Sequence, residues 1–504
     1  MPKPQVLIVG AGPTGLVLAL WLARQGIPVR LVERNGEPGR ASRAMAVHAR
    51  TLEFYRQLGF ARKVVERGIR INAIHLREGQ REVAYYKLGD LGDGLSPFPF
   101  VLSLPQDEHE QFLIEQLKAE GVEVEWETEL VSFTDSDDRV VVTLRRKSVE
   151  ESCVVEYLCG CDGAHSTVRQ GLGLRFPGGT YEQMFYVTDV EASGAVANRN
   201  FNMCLGENAF CAVFPIRTSG MNRLVGIVPE ELRETASLLT FDDIRPSVKE
   251  LIGLEVNKVN WFSTYQVHHR VAEAFRRGRV FICGDAGHIH SPAGGQGMNT
   301  GIGDAVNLAW KLAAVLQNRA DSSLLDTYEP ERMAFARLLV ETTDQAFRAV
   351  VGKNIGSQMF RTLLVPHLIP FLLGFSRVRK AAFRLLSQIR INYRDSELSS
   401  GSAGEVGGGE RLPWVEDLDN FASLKTLDWQ IHVYGVAGEP LRHFATAHNL
   451  ALHEFAWTPN AEDIGFARDA LYLVRPDGYV ALASVEQNVE DLGKFIDRFK
   501  IVSP

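Results

Sequence analysis

The sequence predicts an α/β chain of two or three domains, and three observations carry that expectation. Apolar strand-like segments run through glycine-rich turns into helical patterns at two distant places, VGAGPTG near the start and GDAGHIHSPAGGQGMNTG at 284–301. Alternating, β-rich stretches dominate between them, from about 70 to 104 and from about 175 to 270. After a Ser- and Gly-rich run at 396–413, strand-like and helical segments alternate in a compact C-terminal unit. The expected organisation is therefore a nucleotide-binding domain over 1–174 with a sheet insertion near 70–104, and a β-sheet domain over 175–270. The first domain then returns, with a helical region, over 271–395, followed by a linker over 396–413 and a C-terminal domain over 414–504.

Composition narrows the function. A formal net charge of −8 disfavours nucleic acid or an anionic membrane as partner, because such surfaces need clustered Lys and Arg. The six cysteines fall between Cys153 and Cys283 in no redox or zinc spacing, so reduced, packed thiols and a cytoplasmic setting are expected. No charged-then-apolar signal pattern opens the chain. The apolar stretch LLVPHLIPFLLGF at 363–375 is too short to span a bilayer and contains two prolines, which suggests a buried or interfacial helix pair.

The first joint reads as a dinucleotide site. Gly10, Gly12 and Gly15 form GxGxxG directly after the apolar run Val6 to Val9, with Pro13 and Thr14 opening a helix. The first glycine allows a tight turn, the second lets a pyrophosphate approach the backbone, and the third lets helix and strand pack closely. Glu33 ends the next strand, where its carboxylate would accept a ribose hydroxyl and disfavour a 2′-phosphate. The adenosine held here therefore belongs to FAD or NAD rather than NADP.

The second joint selects between them. No other GxGxxG occurs. Instead Gly284 and Asp285 end a strand, and Pro292, Gly294, Gly295 and Gly297 lead into a helix near Met298 and Asn299. That places a carboxylate beside a polyol arm, and bare N–H groups with a helix N-terminus beside an electron-rich ring. An isoalloxazine with its ribityl chain fits better than a nicotinamide. Asp285, His288 and His290 could be taken for metal ligands, but the glycine loop explains Asp285 better, so no metal is expected. His268 and His269 are adjacent and would face opposite ways in a strand. Phe210, Ala212 and Phe214 alternate along a strand and share a face that is either a substrate pocket or plain core. Leu308 and Trp310 read as core.

With GAGPTG and Glu33, CDGAHSTVR at 161–169 and GDAGHIHSPAGGQGMNTGIGDAVNLAWKL at 284–312, the chain resembles the class A FAD-dependent monooxygenases of the para-hydroxybenzoate hydroxylase type, in particular the phenol and aromatic-polyketide hydroxylase branch. The resemblance covers residues 1 to about 395. It implies a Rossmann-like FAD-binding domain, a β-sheet substrate domain and a thioredoxin-like C-terminal domain, here without cysteine. It implies that Asp285 holds the ribityl chain, that backbone at Gly295, Gly297, Met298 and Asn299 meets the pyrimidine edge, and that Pro292 lies near the reactive carbon and the substrate. Arg43 and Gln106 match contacts to FAD phosphates and ribityl, and Leu130 a backbone contact to adenine. Asp162 and Arg169 match residues serving flavin and reduced nicotinamide; Arg169 could instead cap or pair with Asp162.

The implied reaction is hydroxylation of a phenolic or polycyclic aromatic substrate with NADPH or NADH and O2, through a flavin hydroperoxide. No protein side chain is assigned as catalytic. Epoxidation, Baeyer–Villiger insertion and antibiotic inactivation are the alternatives on this scaffold, with a non-catalytic flavin-binding protein further off. The WxWxIP signature of flavin halogenases is absent. The C-terminal domain is expected to serve packing or oligomer contact, with a homodimer left open.

Overall fold

The computed structural model describes residues 3–39, 44–88, 91–206, 209–216, 220–291, 293–351, 372 and 374–502. The nucleotide-binding sheet has six strands in the order Arg276–Arg277, Val280–Ile282, Tyr157–Gly160, Val6–Val9, Val29–Val32 and Val124–Glu125. All but the first pair in parallel. Strands covered on both faces must be apolar throughout, and Val6, Leu7, Leu158, Val280 and Phe281 are each fully buried. Helix Pro13–Arg24 packs between Gln106–Ala119 and Gly297–Leu316, so segments nearly three hundred residues apart form one core.

A second sheet has eight strands, ordered His288–Ile289, Glu255–Val271, Gly178–Ser193, Met221–Ile227, Phe210–Ile216, Phe201–Leu205, Ala73–Glu78 and Arg81–Lys87. The last two come from the region expected as an insertion in the first domain. They belong instead to the sheet of 175–270, through parallel pairing of Ala73–Glu78 with Phe201–Leu205. Helix Phe241–Ile252, with its Thr240/Asp243 capping box, covers one face over Tyr186, Cys211, Val213 and Leu224. The other edge strand, His288–Ile289, pairs with Arg270 and Val271, so the second glycine-rich joint leaves one sheet and enters the other.

The C-terminal sheet runs Val406–Gly407, Ser400–Ala403, Val480–Ser484, Leu471–Val474, Gln430–Tyr434 and Ala451–Phe455, with helices Glu439–Ala447 and Val489–Phe499. The expected linker at 396–413 is therefore not a linker. Ser400–Ala403 pairs with Val480–Ser484, and Leu398, Ala403, Val406 and Leu412 are buried. Those few apolar residues and the ladder decide the outcome over a composition that reads as flexible. A hairpin turn at Arg475 to Gly478 joins the antiparallel strands Leu471–Val474 and Val480–Ser484, with Gly478 at φ +75°. The six cysteines are free thiols, all buried except the half-buried Cys153. Among the described residues no helix is long and apolar enough to cross a membrane; the 363–375 stretch lies largely outside them.

Candidate functional site

At the first joint, Gly10 has φ +103°, and a Cβ there would sit 2.4 Å from the Cys161 carbonyl oxygen. A Cβ on Gly15 would sit 1.9 Å from the Gly10 oxygen. Gly12 differs: among the described residues, its chain neighbours aside, no atom lies within 4 Å of the place its Cβ would take. It caps helix Pro13–Arg24 without any side-chain cap, leaving that N-terminus to face open space. Glu33 is half-buried beside it; one carboxylate oxygen accepts from Ala11 N at 2.9 Å, the other from Asn35 N at 3.0 Å and Asn35 Nδ2 at 2.6 Å. Thr128 N donates to the Glu33 carbonyl, and Leu130, buried, lies two residues along that strand. Gln106 begins helix Gln106–Ala119, accepts from Ala44 N at 3.4 Å and donates to Glu110 at 2.7 Å. Burial pushes the Glu110 carboxyl up to about 7, against the Gln106 bond. Arg43 lies outside the described residues.

The second joint touches the first. Gly284 has φ +60°, and its Cβ would meet Thr14 Oγ1 at 2.7 Å; a Cβ on Gly301 would meet the same hydroxyl at 2.4 Å. Thr14 of the first joint is thus wedged between the Gly284 turn and Gly301 in the helix that follows it. Asp285 is exposed beside them, whereas Asp304 beneath is fully buried. Asp304 accepts from Gly284 N at 2.9 Å, His288 Nε2 at 2.6 Å and Arg332 Nε at 2.6 Å. Burial pushes its carboxyl upward, but Arg332, His288 and the Gly284 amide outweigh it and hold the group below its ordinary value.

The loop beyond is held from the other side. Gly294 and Gly295 have φ +73° and +64°, and both their carbonyls accept from His48 Nε2 at 3.1 Å. Burial presses His48 down to about 4, against those two bonds. Asn299 accepts from His48 N at 2.9 Å and Thr51 Oγ1 at 2.8 Å, and donates to Ala46 O at 2.8 Å and Gly295 O at 3.0 Å. Its side chain is spent inside the protein, so only backbone remains for a ligand. Helix Gly297–Leu316 starts without a side-chain cap, with Met298 half-buried. Pro292 lies outside the described residues.

In the middle motif, Asp162 Oδ2 accepts from Val168 N at 3.1 Å, while Oδ1 is buried without a partner and burial raises the carboxyl's pKa. Arg169 does not hydrogen-bond to Asp162. Its guanidinium donates to Ala286 O and Ala164 O, each at 2.8 Å, over the Phe176 ring, tying this motif to the second joint.

On the face of the second sheet away from helix Phe241–Ile252, one rung aligns Phe214, Arg223, Asp189 and Trp261. Arg223 donates to both Asp189 oxygens at 2.6 and 2.7 Å, and both residues are buried. Phe214 packs on Phe201 at 4.5 Å, whereas Phe210, four residues back along the strand, packs with Leu76 and Leu205. His268 bonds Thr180 and His269 lies on Tyr181, so the adjacent pair does diverge. Among the described residues no group of three or more His, Cys, Asp or Glu could hold a metal ion. Sequence reasoning missed His48, Asp304, Arg332, Asp189 and Arg223. For Asp304 a signal existed: Thr300, Asp304, Asn307 and Lys311 form a polar stripe along an otherwise apolar helix.

These residues fit FAD on the structure's own terms: two helix N-termini without side-chain caps, clear space before Gly12 among the described residues, an exposed Asp285 and a buried Asp162 oxygen without a partner. The family described as FAD binding domain matches residues 3–343. The chain is 34% identical over 95% of its length to a 6-methylpretetramide 4-monooxygenase of Streptomyces rimosus, covering 90% of that protein. It is 31% identical over 82% of its length to a pentachlorophenol 4-monooxygenase of Sphingobium chlorophenolicum, covering 76% of that one. An anhydrotetracycline hydroxylase structure from Streptomyces rimosus aligns over 100% of both chains with a TM-score of 0.79 at 28% identity. With the glycine joints, the carboxylates and these relatives in agreement, the chain belongs to the FAD binding domain family and is an FAD-dependent monooxygenase.

Proposed function

We propose that the protein hydroxylates a phenolic or polycyclic aromatic substrate using NADPH or NADH and O2, with FAD stretched across both joints. The observation that carries this reading is the contact of the joints at Thr14, which sets the two glycine-rich turns side by side. When bound, FAD supplies acceptance of hydride from the nicotinamide and activation of oxygen. The chain's own residues bind, orient and exclude water. Glu33 would accept the ribose hydroxyls, the N-terminus of Pro13–Arg24 would meet the pyrophosphate, and Asp285 would take the ribityl hydroxyls. Amides at the start of Gly297–Leu316 would favour negative charge on the ring's pyrimidine edge.

The substrate would lie between that ring and the sheet face bearing Phe214, Val225 and Trp261, half-buried side chains that give an apolar wall. The Arg223–Asp189 pair beneath offers polar fixation without a free charge. For the nicotinamide, Arg270 lies near His268, whose imidazolium burial and then Arg270 depress, so the Arg270 guanidinium is the cation suited to a phosphate. The parallel Gln430–Tyr434 and Ala451–Phe455 strands followed by an antiparallel pair suit a thioredoxin-like C-terminal unit. A supply of reduced nicotinamide suits the cytoplasm.

The test is mass spectrometry on phenols and polycyclic aromatics turned over under labelled dioxygen. One labelled oxygen atom in the product supports the reading; nicotinamide oxidation that no aromatic compound accelerates overturns it.

A further inference from the structure

The turn Arg475 to Gly478 makes a deeply buried contact between the C-terminal unit and the rest of the chain. The Arg475 guanidinium, 0% exposed, donates to both Glu331 oxygens at 2.8 and 3.0 Å and to both Asp477 oxygens at 3.0 and 2.7 Å. Glu331 also accepts from Lys311 Nζ, Asn307 Nδ2 and Ser396 Oγ, and Trp310 Nε1 donates to Asp477. The next residue, Arg332, continues toward the second joint. It donates to Asp304 at 2.6 Å, Thr300 O at 3.1 Å and the Tyr393 hydroxyl at 2.8 Å, and Tyr393 packs at 4.5 Å on Tyr479, just past the turn. Asp304 closes the path on the Gly284 amide.

A contact needed only for cohesion would be served by apolar packing, because buried ion pairs add little net stability over apolar groups of the same shape. A fully bonded buried network fixes one arrangement instead. We propose that the C-terminal unit is a positioning element for the cofactor: through Glu331 and Arg332 its Arg475 turn holds Asp304, and so the Gly284–Asp285 turn, in the arrangement that meets the flavin's polyol arm. Arg475, Arg332 and Asp304 are positioning residues in this scheme. It rests on the reading that FAD lies along Asp285.

The test compares full-length Arg475→Lys, Tyr393→Phe and Asp285→Ala with the parent by FAD titration of the apoprotein, the visible spectrum of bound flavin, and the melting temperature of the apoprotein. Losing an ideal charge-assisted geometry should weaken FAD binding by about tenfold in Arg475→Lys. The flavin spectrum should shift with it, and Tyr393→Phe should show a smaller change in the same direction. A lower melting temperature with FAD affinity and spectrum unchanged overturns the proposal and leaves a structural brace. If Arg475→Lys does not fold, Tyr393→Phe, which removes one hydroxyl, decides. Asp285→Ala with parental FAD affinity would sink the reading of the site itself, whatever the other two variants do.

Discussion

The two glycine-rich joints look alike in sequence and are built differently. The first is held mainly by backbone: Gly10 closes on the Cys161 carbonyl, Gly15 on the Gly10 carbonyl, and Glu33 ties the turn to Ala11 and Asn35. The second is held by groups recruited from across the chain: His48 and Thr51 from one side, Asp304 and Arg332 from below, and the C-terminal unit behind them. A joint that binds a nucleotide's constant part needs only tight backbone packing. The joint at the reacting end gains its shape from buried charge, whose geometry is set by many partners at once.

Breaking the first joint should have the largest effect. Gly15→Ala forces a Cβ to within 1.9 Å of the Gly10 carbonyl oxygen, which only a backbone shift relieves. The expected loss exceeds about 5 kcal/mol, read as failure to yield folded protein or a collapse of the melting temperature. Asp304→Ala strikes the second joint by leaving Arg332 buried without its carboxylate. Chemical denaturation should show a loss of about 3 to 5 kcal/mol.

Acid should loosen the second joint before the first. His48 is buried and its folded pKa is pressed to about 4 from 6.5. The folded state therefore takes up its proton later than the unfolded chain, so the contribution is whole above pH 6.5 and is lost as pH falls toward 4, amounting to about 3 kcal/mol. Asp304, held below its ordinary value, adds a further loss at lower pH. Melting temperatures between pH 7 and 4 should fall, and His48→Gln should flatten the upper part of that fall; an unchanged profile would remove His48 from the account. The smallest effect on stability belongs to Gly12→Ala, whose Cβ meets open space. Its stability should stay within about 0.5 kcal/mol of the parent, while FAD binding fails because the methyl fills the pyrophosphate's approach.

What the sequence revealed follows the same division. The tight turn of Gly10 and Gly15 was legible in the GxGxxG spacing, although Gly10 closes on distant Cys161, and Glu33 meets the nearby Ala11 and Asn35. Asp285 and the loop to Asn299 were expected as a site from the sequence, but the supports of that loop at His48 and Arg332 were not, because nothing local marks a histidine or arginine that will fold onto a distant loop. The aligned rung of Phe214, Arg223, Asp189 and Trp261 needed strand register, which alternation within one strand does not supply. The 396–413 stretch misled for the opposite reason: its composition was flexible, yet Leu398, Val406 and Leu412 found a core.

The central claim is that the joints grip opposite ends of one FAD, and the most direct test titrates Glu33→Ala and Asp285→Ala apoproteins with FAD and with FMN, which lacks the adenylate half. The account predicts that Glu33→Ala weakens FAD by about tenfold and leaves FMN unchanged, whereas Asp285→Ala weakens both by a similar factor. Equal losses of FAD and FMN in Glu33→Ala, or no loss of either in Asp285→Ala, would contradict it.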